Sequence, residues 1–453
     1  MTSGFQPSSF ERLLEEARYS DLEEWQKFVV LLHDEVKIKS DLVYCKHTGE
    51  LIGFANLGDV NNALVDFEKQ CQIEVSNCTP DIATYMLSFM VRGVSISLEY
   101  PLAHFPCSSC ISADQIYPLF WDGVRHLETL GLKVIASTSD GALTNRKFVK
   151  IHRSPKSPPK TSMKSPPKSS EETVVYKTKN LYSADERDLF FVADAPYLIK
   201  TNSGYDISWI HLENLYKDDL NRQGLKLIPK LKNDHIYLTP YSRMKVYLAA
   251  QVLSSSVANA LDMFYSERVK GTVKFVRMFD TFLDCLNTRS LTEATRRKKS
   301  GIAPYRSPED PRLTWLKDEF LGYLDTWSNS VDALSEIPPK QKLKMKLSQQ
   351  TTEGLKMTVY SFVEIVKYLL SYPGIRFILS ERFNQDPIES HFGKHRQMKG
   401  GNDNPTVAQF NHNESALRLL GSQALAPVTG NTKHGVCIRE VIEDKPLPKR
   451  KRK

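Results

Sequence analysis

FVVLLHDEVKI, residues 28–38, sets an acid pair, Asp34 and Glu35, into an otherwise mostly apolar run. Its length and β-branched content predict a buried strand. A carboxylate on such a strand costs free energy unless it is paired or binds a cation. An edge strand with Asp34 facing water is the alternative. Outward from it, LVYCK (42–46), a turn at HTGE and LIGFANL (51–57) predict consecutive antiparallel strands, and YMLSFMVRGVSISL (85–98) a further buried one. SADQIYPLFWDGVRHLETLG (112–131) has helical spacing, with Ile116, Leu119, Phe120, Val124 and Leu127 on one face, Ser112 as cap and Gly131 as stop. KVIASTSDG (133–141) is a strand entering a polar turn, and DLFFVADAPYLIK (188–200) a fifth strand ending at Asp194.

From about Ile207 to Tyr372 the periodicity is mostly helical, and ESHFGKHRQM (389–398) and VAQFNHNESALRLL (407–420) are later helices. Three strands, a helix, a strand, a fifth strand and a late helix predict an α/β fold: an RNase H-like mixed sheet flanked by helices and interrupted by a mostly α-helical insertion. Such a fold carries acids on its first strand, at the exit of its fourth and on a late helix. Those positions here are Asp34, Asp140 and Glu389. Carboxylates converging in this way suit two hard divalent ions, Mg2+ or Mn2+.

The chain has 453 residues, 41% of them apolar, enough for more than one core. No run of about 18 uncharged apolar residues occurs, and the first residues lack a signal-peptide pattern, so no membrane association is expected. Seven scattered cysteines fit reduced thiols, and Cys107-x-x-Cys110 has no second pair to complete a zinc finger. The formal charge is +8. KPLPKRKRK (445–453) holds six cations and no acid, and RSPKSPPKTSMKSPPKSS (153–170) holds five and no acid, so the remainder is at −3. The terminal cluster reads as a nuclear-import signal or as a solvated, phosphate-binding end. The Pro/Ser/Lys segment, 153–172, reads as a disordered loop.

NQDPIESHFGKHRQMKGGNDNPTVAQF (384–410) resembles the NQDxxExxFG, RxRGG and D-x-P-T series of P-element-type transposases, the family that includes THAP-domain transposases. HDEVKIKSDLVYCKHTGELIGFANLGDV (33–60), STSDGALTNRKF (137–148), ADAPYLIK (193–200) and LIPKLKNDHIYLTPYSRMKVYLAAQVLS (227–254) resemble further motifs of that family, in the same order. The resemblance runs from about residue 23 to 420. Tyr197 stands where the family has His, and residues 1–22 hold no counterpart of the family's N-terminal THAP zinc finger.

The resemblance implies a cut-and-paste DNA transposase, nuclear, acting on transposon ends and target DNA as a possible homo-oligomer. It puts the catalytic, metal-holding acids on Asp34, Asp140 and Glu389. It also implies GTP as an assembly cofactor, with contacts at Lys230, Val246, Asp284, Asn287 and Asp386. Asp284 and Asn287 share a helical face, which suits reading a guanine edge and equally suits an ordinary polar helix side. No GxxxxGK[ST] loop is present. The expected organisation is a tail over 1–22, the first core segment over 23–200, the GTP-binding insertion over 201–378, the last core helix over 379–420 and a basic tail over 421–453. A catalytically idle, transposon-derived nuclear DNA- or GTP-binding or assembly protein is the alternative.

Overall fold

The computed structural model describes residues 3–46, 49–72, 81–153, 174–194, 209–239, 245–265, 269–335, 337–398 and 404–420. Its central sheet grows from β1 (Phe28–Lys37). This strand pairs antiparallel with β4 (Tyr85–Gly93) on one side and parallel with β6 (Lys133–Ser139) on the other. Beyond β4 lies β5 (Glu99–Cys107); beyond β6 lie β8 (Asp188–Ala193) and the short β7 (Lys177–Lys179). The order is β5-β4-β1-β6-β8-β7, with β6 and β8 parallel and both outer pairs antiparallel. β1 is the central strand, and Phe28–Leu32 are fully buried on both faces, which explains their near-continuous apolar run.

Two sequence expectations change here. LVYCK and LIGFANL supply only a two-stranded ribbon, β2 (Val43–Tyr44) with β3 (Leu51–Ile52), outside the main sheet. Tyr44 and Leu51 are exposed, so their apolar pattern has no layer to cover. The strand they seemed to provide is β5, whose sequence EYPLAHFPC is disguised by Pro101 and Pro106. Proline is tolerated there because β5 is an edge strand, and the ladder shifts register beside Pro101, between Phe89 and Met90.

Helices α1 (Pro7–Glu16) and α2 (Asp59–Gln72) precede β4 in the chain. Residues 1–22, expected as a tail, instead include α1, which packs on β5 and buries Leu13 and Ser9. Helix α3 (Ala113–Thr129) buries all five predicted face residues. Ser112 Oγ accepts from Gln115 N, the Gln115 side chain returns the bond to Ser112 N, and Gly131 follows at φ 83°. A Cβ at Gly131 would strike the Tyr19 hydroxyl, so only glycine fits this stop. Helix α4 (Leu143–Ile151) leads away from β6 and packs on α3.

The insertion is helical among its described residues: α5 (Trp209–Asn221), α6 (Asn233–Ile236), α7 (Val246–Val252), α8 (Ser255–Tyr265), α9 (Lys270–Leu286), α10 (Glu293–Arg297), α11 (Pro311–Thr314), α12 (Leu321–Asp332) and α13 (Pro339–Lys344). Val273, Val276 and Phe279 recur at helical spacing on the buried face of α9, and Phe282 stacks on Phe320 at 4.4 Å. The long α14 (Gln349–Ser371) returns to the sheet. It covers the part of β8 that β7 leaves unpaired: Thr358 Oγ1 donates to Ala193 O (2.9 Å), and Ser361 Oγ to Phe191 O (2.6 Å). Helices α15 (Asp386–Gln397) and α16 (Val407–Leu420) complete the fold. The positions of Tyr197, of segment 154–172 and of the basic terminus lie outside the described residues.

Candidate active site

Parallel pairing sets Leu32 of β1 opposite Thr138 of β6. Two residues on, and therefore on the same face, come Asp34 on β1 and Asp140 just past the end of β6. Glu389 arrives from the first turns of α15, which packs on β1. The three acids predicted from strand order are thus brought to one place. Asp34 reports this: burial pushes its carboxyl well above the usual range, and the charges of Asp140 and Glu389 add to the push against a bond from Glu35 N. Glu35 is pushed up to about 7, chiefly by burial, with Asp140 contributing.

The two aspartates are each held by named partners. Asp34 Oδ1 accepts from Glu35 N at 2.8 Å. Asp140 Oδ1 accepts from Ala142 N at 2.9 Å and from Asn145 Nδ2 at 2.6 Å. The oxygen of that Asn145 amide faces His33 Nε2 at 3.2 Å, so His33 donates from Nε2. Burial lowers His33 to about 4, which keeps the ring neutral and adds no cation beside Asp34. At the start of α15, Gln385 Nε2 donates to His33 O (3.2 Å), and Gln385 N donates to Asp194 Oδ1 (3.3 Å). Asp194 N is itself bonded to Ser139 O. Asp194, Gln385 and Asn145 therefore tie β8, α15, β1 and α4 around the carboxylates, and sequence reasoning assigned no role to any of them. Their only signal was as letters of the quoted NQD, DGALTN and ADAP motifs.

Asp34, half-buried on a central strand and repelled by the charges of Asp140 and Glu389, needs a proton or a cation to offset that repulsion. Oxygen donors alone, without imidazole or thiolate, fit a hard divalent ion such as Mg2+ or Mn2+.

The five expected nucleotide contacts divide. Arg289 Nε donates to Asn287 Oδ1 (2.9 Å) and its Nη2 pairs with Asp386 Oδ2 (3.0 Å), so Asn287 at the end of α9 and Asp386 at the start of α15 share one guanidinium. Asp284, one turn earlier on α9, pairs with Lys299 Nζ at 2.5 Å, and Lys299 also reaches Asp280 Oδ2 at 3.1 Å. Burial raises the Asp284 carboxyl, partly offset by Lys299. Lys230 is exposed ahead of α6 and pairs with neither Asp284 nor Asp386 among the described residues. Val246 opens α7. Carboxylates and an amide fit the donor edge of a guanine, provided Lys299 and Arg289 yield or share them.

Further along α15, His395 is buried, stacked on Phe410 at 3.9 Å and bonded to Glu414. Cys107 and Cys110 are free thiols, and burial pushes the Cys107 thiol up to about 12.

Comparison with known proteins follows the same divisions. Family models described as TNP-like match in series: the RNase H N-terminal domain over residues 1–153, the GTP-binding insertion domain over 192–300 and the RNase H C-terminal domain over 382–412. The Transposable element P transposase of Drosophila melanogaster is 24% identical over 346 residues, covering 72% of this chain and 40% of that protein. The chain thus spans less than half the length of this relative. A solved structure, described as the Drosophila P element transposase strand transfer complex, superposes with a TM-score of 0.68 at 20% identity. That superposition covers 94% of this chain and 83% of the other, and it bears on the fold. With an RNase H-like sheet split by a GTP-binding insertion domain and three family domains in order, the chain belongs to the P-element-type transposase family.

Proposed function

We propose that this protein cuts and joins DNA strands at Asp34, Asp140 and Glu389, with GTP bound by its insertion domain as an assembly cofactor. The observation that carries the reading is the convergence of the three carboxylates, registered in the upward push on Asp34 from Asp140 and Glu389. Two divalent ions, when bound, stabilise the attacking and leaving oxygens of an in-line phosphodiester displacement. The chain's own part is orientation. Asn145 and Ala142 N fix the Asp140 carboxylate, Glu35 N fixes that of Asp34, and Gln385 ties the start of the helix that carries Glu389 to β1. A neutral His33 keeps cationic competition out of the site.

The strand transfer named for the solved relative supports DNA as substrate, and the matched insertion domain supports GTP. Nuclear accumulation through 445–453 belongs to the same proposal. The test is DNA nicking and strand transfer by the purified chain with Mg2+ or Mn2+. Activity should appear in the wild type and vanish in Asp34→Ala and Glu389→Ala. A wild type that binds no divalent ion at about millimolar concentration would leave only a transposon-derived DNA- or GTP-binding protein.

A further inference from the structure

Away from the carboxylates, His391 and His395 stand one turn apart on the buried side of α15, facing Glu414 of α16. His391 Nε2 lies 2.9 Å from Glu414 Oε2, His395 Nε2 lies 3.0 Å from the same oxygen, and the two Nε2 atoms are 3.1 Å apart. Each Nε2 carries at most one hydrogen, aimed along one line in its ring plane. Hydrogen bonds therefore satisfy two of the three contacts at most. With both rings donating to Glu414, the two nitrogens are left in close approach with no proton between them.

A single cation satisfies all three at once. We propose that His391, His395 and Glu414 form a zinc site that clasps the helix bearing Glu389 to α16. Two imidazoles at i and i+4 with one carboxylate are a donor set that zinc favours over Mg2+. At zinc bond lengths a tetrahedral site sets its donors roughly 3.3–3.4 Å apart, so these atoms need to spread by only a few tenths of an ångström.

The surroundings are already those of a held ligand. Glu414 Oε1 accepts from Arg418 Nε (2.9 Å), and Arg418 is itself anchored to Ser9 Oγ (2.6 Å) and Pro101 O (3.0 Å). Phe410 stacks on the His395 ring and fixes its plane, while Asn413 Nδ2 donates to His395 O. All three candidate ligands are buried. Conserving the orientation of first ligands through such partners is what metal sites require. The site is separate from the carboxylate centre, and its occupant would stiffen α15 two residues beyond Glu389.

The experiment uses the full chain, purified without chelator and dialysed against Zn2+ and then metal-free buffer. The expected result is about one zinc per chain by elemental analysis, with Co2+ substitution giving the visible absorption of a tetrahedral N2O site. Asp34→Asn/Asp140→Asn should keep both signals, and His391→Asn/Glu414→Gln should lose both. Because the second variant could misfold, Co2+ titration of the wild type stands on its own. No retained zinc and no tetrahedral Co2+ spectrum in a folded wild type would overturn the proposal. So would a spectrum that persists in His391→Asn/Glu414→Gln, or one lost in Asp34→Asn/Asp140→Asn.

Discussion

Asn145 Nδ2 donates to Asp140 Oδ1 across 2.6 Å, while the other end of the same amide accepts from His33 Nε2. One buried side chain thus couples the exit of β6 to β1, the two elements that carry the paired aspartates. Replacing Asn145 with Ala is expected to lower Mn2+ affinity or DNA cleavage by about 10–100-fold, the usual cost of losing a ligand's supporting partner. Asn145→Asp should be worse, because it adds a carboxylate beside Asp140. Mn2+ titration of the folded variants checks this, and unchanged affinity in both would remove Asn145 from the site's support.

Gln385 carries the corresponding load for α15. Its amide reaches His33 O and its backbone N reaches Asp194 Oδ1, so its loss strands a buried carbonyl on β1. Gln385→Ala is expected to destabilise the fold by about 1–3 kcal/mol. Cleavage should fall further than this loss of folded protein explains, since Glu389 loses its fixed approach. Urea unfolding and cleavage rates on the same preparation separate the two effects; a variant with wild-type midpoint and rate would contradict the linkage.

What could be read in advance followed from how strongly local chemistry dictates each element. Strand β1, strand β6 and helix α3 announce themselves because burial on both faces, or on one helical stripe, forces an apolar pattern that few alternatives share. Strand β5 hid because Pro101 and Pro106 argue against a strand, and only its edge position reconciles them. The β2–β3 ribbon was over-read for the opposite reason: alternating apolar residues there find no second layer. At the site, Asp34, Asp140 and Glu389 were placed by strand order and resemblance. Asn145, Gln385 and Asp194 escaped because their roles are pairwise geometry across residues up to 352 positions apart. The burial of His395 left no local signal because its stacking partner, Phe410, lies 15 residues on.

A half-buried histidine at the end of α4 makes acid stability predictable. His152 Nδ1 donates to Phe148 O (2.9 Å) and its Nε2 accepts from Trp121 Nε1 (3.0 Å), so both nitrogens are used by the neutral ring. Phe120, Phe148, Phe191, Tyr117 and Trp121 surround it. Burial lowers its pKa to about 4. The folded value lies below the unfolded one, near 6.5, so the unfolded chain binds the proton first. Stability should fall as pH drops from about 6.5 toward 4, by up to a few kcal/mol from this group. His152→Leu should flatten that stretch of the profile whatever it does to the midpoint at neutral pH. Urea midpoints across the range test it, and an equally steep profile in the variant would rule His152 out.

Lys299 Nζ, 2.5 Å from Asp284, makes the nucleotide reading sensitive to charge. A carboxylate must be ionised to accept the two N–H groups of a guanine edge. Burial raises Asp284 and the Lys299 cation partly offsets this, favouring the ionised acceptor. Asp284→Ala should cost more than about tenfold in GTP affinity and erase any preference over ATP, because a site built around hydrogen bonds rejects ligands that do not make them. Lys299→Ala has a pH signature instead. Without the cation the Asp284 carboxyl rises further, so GTP binding should weaken on acidification at a higher pH than in the wild type. Calorimetry with GTP and ATP at neutral pH and about two units lower distinguishes these outcomes. Equal binding of GTP and ATP by the wild type would exclude a guanine-reading role for Asp284. A Lys299→Ala profile superposable on the wild type would show that the ion pair does not govern the pocket.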